Sequence, residues 1–412
     1  MRSYSSKIEP VTGVAHGYCS PEFDAVRREF EQNFAVRNEE GAACCIFYRG
    51  RKVVDLWGGV RSPGKAWNED TLALTFSVTK GMAAAALVVA HSRGLFELDA
   101  PVASYWPEFA AAGKQHITVR QLLTHQAGLI AVDQQLTVEH LADYDRLAQI
   151  LARQRPAWEP TTRHGYHTLT LGWYQNELLR RVDPRQRTIG RFFQEEIAAP
   201  LGLQFAIGLP ADMDEDRLAT TAGFHRWALL KNLGTMPAAM VLAGIWPTSL
   251  VARSVNILRL NNPAEVGGPE FRRLEIPAAN GFGQARAIAK IYSMLSGDSP
   301  ELNISQRTRR ELLAPVTVPR LGTRDAILKL DTNYGFGFSR PSSAMRFGSD
   351  GSAFGCPGAG GGFGMADPSR QIAFAYVTNK MGFYLFDDPR ERACREACYA
   401  SLAKLRSVKL AA

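Results

Sequence analysis

Thr75-Phe76-Ser77-Val78-Thr79-Lys80-Gly81 runs straight into the apolar stretch Met82–Ala90, and its reading decides how the other residues of the 412-residue chain are understood. In a helix, positions i and i+3 share a face, so Ser77 and Lys80 come within hydrogen-bond reach. A helix start supplies free backbone N–H groups and a partial positive charge, both favourable to an alkoxide or oxyanion at Ser77. The same field, with burial, disfavours an ammonium at Lys80. For that amine to act as a base near pH 7 its pKa must fall by about three units from roughly 10.4, which is about 4 kcal/mol of environment. The competing reading is a capping serine beside a surface lysine. Ser-x-x-Lys alone is weak, because it occurs three times. Ser62-Pro63-Gly64-Lys65 is a turn, which does not hold both side chains on one face. Ser401 and Lys404 fall near the end of a C-terminal helix, where the negative pole favours a charged lysine. Only Ser77 precedes a long apolar helix.

Around this stretch the composition is that of a globular chain. Hydrophobic residues at 46% and charged residues at 21% exclude a disordered, collagenous or disulfide-scaffold protein. Met82–Ala90 falls far short of the roughly 20 residues a membrane span needs, so no membrane partner is expected. The opening residues, MRSYSSKIEP, are polar and do not form a secretory signal. Six cysteines without a repeating spacing suit a reducing compartment, and a cytoplasmic location is expected. The net charge of +8 comes from scattered residues with no aromatic-basic interleaving, which argues for a solvated surface and against a nucleic-acid partner.

Both ends of the chain read as sheet plus helix. Ser20 as cap, Pro21 and Glu22 open a first helix whose apolar stripe is Phe23, Val26, Phe30 and Phe34. Ala42–Tyr48 and Val53–Trp57 form a hairpin through Arg49-Gly50-Arg51-Lys52, and Gly362–Met365 and Ile372–Thr378 form another around Asp367-Pro368-Ser369-Arg370. A last helix spans about Pro389–Arg406, its stripe at Cys394, Ala397, Cys398, Leu402 and Leu405. Between them the chain reads mostly helical: Met82–His91, Val119–Leu123 with a capping box from Thr118 and Gln121, His140–Gln154, and Gln284–Leu295. The expected architecture is an α/β (α+β) fold with an antiparallel sheet built from both termini, flanked by helices, and an inserted helical lobe. Expected limits are 1–88 with 283–412 for the α/β lobe and 89–282 for the helical lobe, with the site between them. The stretch Arg187–Pro277 carries no interpretable signal.

Several chemistries are unsupported. The sequence has no G-x-S-x-G, P-loop, HExxH or paired CxxC. Gly358–Gly364 has the wrong spacing for a dinucleotide loop and precedes a hairpin, so no cofactor and no metal are expected.

With its neighbours, Thr75–Gly81 resembles the nucleophile motif of the serine β-lactamase-like hydrolases. Tyr166-His167-Thr168-Leu169-Thr170-Leu171-Gly172-Trp173 resembles the tyrosine motif in the form used by family VIII carboxylesterases, and Phe354-Gly355-Cys356-Pro357-Gly358-Ala359-Gly360-Gly361 the strand lining their site. Gly94–Val102, Leu122–Leu129 and Ala375–Asn379 match too, so the resemblance covers roughly residues 22 to 385 in order. It implies a two-lobed β-lactamase/transpeptidase-like fold, Ser77 as acylated nucleophile, and Lys80 and Tyr166 sharing the proton work. Which of the two is the base stays open, because groups this close titrate as a pair. It also implies an oxyanion hole from the N–H groups of Ser77 and Ala359, and Thr168, Cys356 and Gly358 as substrate-facing residues. Gly358, Gly360 and Gly361 fit a strand that a substrate approaches closely.

Two departures bear on substrate. Cys356-Pro357 stands where lactamases and cell-wall peptidases of this fold offer a cationic or histidine residue to a substrate carboxylate. Thr168 replaces their amide-gripping asparagine. Both changes remove polar contacts that a β-lactam or D-Ala-D-Ala peptide needs, so an ester with an uncharged acyl group fits better, and the family resemblance implies a short acyl chain. His125 reads as a core or supporting histidine, His167 as either cleft rim or core, Cys394 and Cys398 as packing, and Cys356 as a small strand residue or a thiol at the cleft edge. The expectation is a serine carboxylesterase acting on small-molecule esters. Its rivals are a β-lactamase or D-amino peptide amidase, an acyltransferase with the same residues, and a non-catalytic relative.

Overall fold

The computed structural model describes residues 15–223, 232–297 and 300–411; the polar decapeptide at the N-terminus lies outside them. Strands β1 (Ala15–Cys19), β2 (Gly41–Tyr48), β3 (Arg51–Ser62) and β4 (Lys65–Ala66) come from the start of the chain. β5 (Ala73–Leu74), β6 (Phe205–Ile207) and β7 (Gly281–Gly283) form a separate small sheet in the order β5-β7-β6. The end supplies β8 (Asn333–Gly335), β9 (Phe338–Arg340), β10 (Phe354–Gly358), β11 (Gly362–Asp367) and β12 (Ile372–Thr378). The main sheet runs β1-β3-β2-β12-β11-β10-β9-β8, with β4 on β3 and every pairing antiparallel. The two expected hairpins thus meet at its centre, Tyr376 opposite Cys44. Both central strands are near-continuous apolar runs because helices cover both faces of the sheet.

The helices are α1 (Asp24–Val36), α2 (Val78–Ser92), α3 (Val119–Leu123), α4 (Val138–Ala142), α5 (Tyr144–Arg153), α6 (Thr170–Val182), α7 (Ile189–Phe193), α8 (Ala238–Ile245), α9 (Leu250–Val255), α10 (Ala285–Ser296), α11 (Gln306–Leu313) and α12 (Pro389–Ala411). α1 and α12 close one face of the sheet through Phe23, Val26, Phe30, Cys394 and Cys398. α10 and α2 cover the other. Every residue of α2 from Val78 to His91 is buried, as befits a helix that is apolar all round and touches β10, α6, α7 and α10.

Local differences from expectation have simple causes. Residues 21–23 form a 3-10 turn, and the Ser20 hydroxyl bonds the Glu22 carboxylate in place of a backbone cap. The run His140–Gln154 is two helices, because extended Asp143 ends α4 and accepts the Arg146 N–H at 2.9 Å to start α5. The Thr118–Gln121 capping box is present. In Arg187–Pro277, silent at the level of sequence, lie α7, β6, α8 and α9.

Candidate active site

Ser77 occupies the first position before α2, and the turn that presents it is gripped from both sides. Phe76 adopts φ +45°, a conformation that costs a non-glycine residue of order 1–3 kcal/mol and swings the chain sharply into the helix. On one flank, Thr75 donates from N and Oγ1 to the Gly281 carbonyl at 2.8 and 3.0 Å, and the Thr79 hydroxyl accepts the Gly281 N–H at 2.8 Å. On the other flank β10 passes so close that a Cβ on Gly358 would sit 2.6 Å from the Thr75 carbonyl oxygen and 3.0 Å from the Val78 side chain. A glycine at 358 thus leaves room for the turn that holds Ser77. Gly360 and Gly361, at φ +86° and +108°, meet Met381 and the Arg390–Asp388 pair in the same way. No hydrogen bond among the described residues takes up the N–H of Ser77 or of Ala359, one residue past Gly358. Arg390 holds that end of the strand from behind, donating to the Gly360 and Lys380 carbonyls at 2.6 and 2.9 Å while paired with Asp388 and Glu39.

Lys80, 2% exposed, places Nζ 3.1 Å from Ser77 Oγ, 2.7 Å from the Thr168 carbonyl and 2.9 Å from the Ala278 carbonyl. Burial lowers its pKa to about 7, with a smaller opposing influence from Cys356. This coordination suits the neutral amine: two N–H groups satisfy the two carbonyls, and the lone pair is left for the Ser77 hydroxyl proton. Nζ also lies 4.8 Å from the centre of the Tyr166 ring. Burial raises the pKa of the Tyr166 phenol, with a smaller opposing influence from Ser77. Ser77, Lys80 and Tyr166 are thus brought together.

The Tyr166 segment is set by a residue that carries no sequence signal. Asp325, fully buried, accepts the N–H groups of Tyr166, Ile327 and Leu328 on Oδ1 at 3.2, 2.8 and 2.8 Å, and the Tyr334 hydroxyl on Oδ2 at 2.9 Å. His125, at φ +60°, accepts the His167 N–H on Nδ1 at 3.0 Å, takes the Gly165 N–H on its carbonyl, and packs its ring on Tyr166 and Tyr334. His125 is a supporting residue. His167 is fully buried, so it does not rim the cleft. Neither of its ring nitrogens has a hydrogen-bond partner among the described residues, and burial lowers its pKa to about 3.

The remaining expected contacts sort themselves by direction. Cys356 faces inward, against Gly81 and Tyr292, and burial pushes its thiol up to about 11. It is a small, buried strand residue. Thr168 holds Lys80 through its carbonyl, while its hydroxyl lies 3.3 Å from Ser254 of α9. Ser254, Asp325 and Arg390 were missed because each reaches the site from a remote part of the chain. Above Tyr166 stands an apolar wall in which Trp158, Met240, Leu250, Leu385 and Phe386 pack around Ile327 and Leu328. Among the described residues no group of His, Cys, Asp and Glu side chains is arranged to hold a metal ion.

Comparison with known proteins finds relatives along most of the chain. The family model described as Beta-lactamase matches residues 26–398. The esterase/beta-lactamase LipL of Mycobacterium tuberculosis is 31% identical, over 92% of this chain and 86% of that one. The crystal structure of a family VIII carboxylesterase superposes with a TM-score of 0.82 at 34% identity, covering 94% of this chain and 99% of the other. A penicillin-binding protein homologue from Caulobacter crescentus gives 0.79 at 35% identity, over 94% and 100%.

Proposed function

The chain belongs to the β-lactamase family, and from that premise we propose that it is a serine carboxylesterase working through an acyl-enzyme on Ser77. The observation that carries this reading is the Lys80 amine, with both N–H groups committed to carbonyls and its nitrogen 3.1 Å from the Ser77 oxygen.

In this mechanism the Ser77 proton passes to Lys80 as Oγ attacks the ester carbonyl. The oxyanion is received by the N–H groups of Ser77 and Ala359, each such donor typically worth about 3–4 kcal/mol in the transition state. As the C–O bond breaks, Tyr166 gives its proton to the departing alkoxide and recovers one from the Lys80 ammonium. Water then repeats the sequence in reverse: Lys80 takes its proton, the hydroxyl adds to the acyl carbon, and Ser77 leaves reprotonated. The lowered pKa of Lys80 and the raised pKa of Tyr166 support this division into base and acid.

The substrate follows from what surrounds the phenol. With Cys356 turned inward and followed by Pro357, the strand start offers no cation to a substrate carboxylate, whereas the wall of Trp158, Met240, Leu250 and Phe386 favours apolar groups. An ester with an uncharged acyl group is the fit; that the acyl chain is short rests on the family resemblance and is read from a chain-length series. Six free cysteines support a reducing, cytoplasmic setting. A fluorophosphonate probe should label Ser77 and no other residue. Parallel kinetics on a p-nitrophenyl ester and a cephalosporin separate the esterase from the lactamase reading that the LipL name also carries; a dominant cephalosporin rate overturns the substrate assignment.

A further inference from the structure

The sequence from Leu233 to Ala252 contains no charged residue and is bounded by Lys231 and Arg253. It holds α8, Ala-Ala-Met-Val-Leu-Ala-Gly-Ile, of which no residue is fully buried. Leu242, Ile245 and the following Trp246 are 60%, 64% and 62% exposed. One side of this segment belongs to the candidate site, since Met240 and Leu250 pack in the wall beside Tyr166. The other side is open.

These side chains are part of a larger pattern. Among the described residues ten large apolar side chains are exposed, and seven of them fall in segments that border the wall around Tyr166. Tyr384 adjoins Phe383, whose carbonyl accepts the Thr235 hydroxyl at 2.7 Å, and Leu321 donates its N–H to Thr162 at 2.8 Å. Val255 adjoins Ser254, the partner of Thr168. Scattered exposed apolar residues are ordinary, but a concentration at the mouth of one cleft marks an interaction surface. Basic residues accompany it. Arg155, Arg163 and Arg259 are exposed and form no ion pair among the described residues, and the Arg163 carbonyl is bonded by Trp158 of the wall at 3.0 Å. Among the acids of these segments, Asp133, Glu159, Asp387 and Asp388 are already paired with Arg253, Arg320, Arg395 and Arg390.

We propose that this rim is a docking surface for an anionic lipid–water interface, which places the cleft mouth against the layer in which an apolar ester dissolves. It departs from the expectation that no membrane takes part. Exposed leucine, isoleucine and tryptophan flanked by arginine are the composition with which peripheral helices enter the headgroup region. Each arginine held near an anionic surface adds roughly a five-fold gain in partitioning. A second copy of the chain is the poorer occupant, because a two-fold contact through this face brings the unpaired arginines of both copies together.

The test uses the full-length protein and does not read turnover, so it stands apart from the esterase proposal. Flotation with phosphatidylcholine vesicles, with and without phosphatidylglycerol, should show binding about tenfold or more tighter to the anionic vesicles and loss of that preference at high salt. Leu242→Ser/Ile245→Ser/Trp246→Ser should lose the binding while p-nitrophenyl acetate turnover and melting temperature stay unchanged. Arg155→Glu/Arg163→Glu should lose only the anionic preference. Failure of the wild-type chain to float with anionic vesicles overturns the proposal. So does light scattering that shows a dimer which the serine variant converts to monomer.

Discussion

Lys80, the proposed base, has a measurable cost. In the unfolded chain its pKa is roughly 10.4, and in the fold burial lowers it to about 7. Between these values the unfolded state binds the extra proton, so this residue lowers stability most at and below pH 7, by about 4 kcal/mol, and the penalty fades as pH rises towards 10. Lys80→Met removes that penalty but strands the Thr168 and Ala278 carbonyls, each worth about 1–3 kcal/mol when left without a donor. The expected result is no ester turnover and a melting temperature near that of the wild type at pH 7, with the variant falling behind the wild type as pH approaches 10. Tyr166→Phe should lower kcat by about 10²–10⁴ with an unchanged melting temperature, the loss of a proton donor to the leaving group. The Ser77–Lys80 pair was legible because an i, i+3 spacing before an apolar helix is local. Asp325 was not: four of its five acceptor contacts are local, but the one that ties it to the site, the Tyr166 N–H, joins residues 159 positions apart, and nothing in Thr323-Arg324-Asp325 announces it.

Among elements, the hairpins, the first helix and the C-terminal helix could be read because their periodicity and turn residues are local. Glycines could be located but not interpreted. Gly358, Gly360 and Gly361 read as a strand that a substrate approaches closely, and the missing Cβ of Gly358 also makes room for the turn that holds Ser77. Gly358→Ala places a carbon 2.6 Å from the Thr75 carbonyl oxygen and separates strand from turn. Its expected signature is a fall in kcat of about 10²-fold or more, the scale of one lost oxyanion donor, with a smaller change in KM. A KM effect alone would show that the glycine does face substrate. The break at Asp143 was illegible for the opposite reason, since its neighbours have good helical periodicity and only the cap on Arg146 divides them. The α8–α9 stretch escaped notice because its apolar residues face the cleft and the solvent, and match no core stripe.

At the scale of the molecule, α2 ties the layers together. It starts just after Ser77, runs buried from Val78 to His91, and packs on both the sheet strand β10 and the helices α6 and α7. The expected division into two lobes would allow stepwise unfolding, but a shared central helix couples the sheet to the helices. Leu87→Ala should therefore cost about 2–5 kcal/mol and shift tryptophan fluorescence and far-UV circular dichroism transitions together in denaturant. Two separated transitions would show that the lobes are independent. The sheet assembled from both termini was legible as an architecture, while residues 300–332 give no sign in sequence that Glu311 and Asp325 bond to the helical side at Arg120 and Tyr166.

The most direct test of the central claim is the rate at which a fluorophosphonate acylates Ser77, followed across pH. If Lys80 is the base that burial keeps neutral, the second-order rate should rise through an apparent pKa near the value of about 7 and level off above it, and the rise should vanish in Lys80→Met. A rate independent of pH across neutrality, or a rise that survives in that variant, would contradict it.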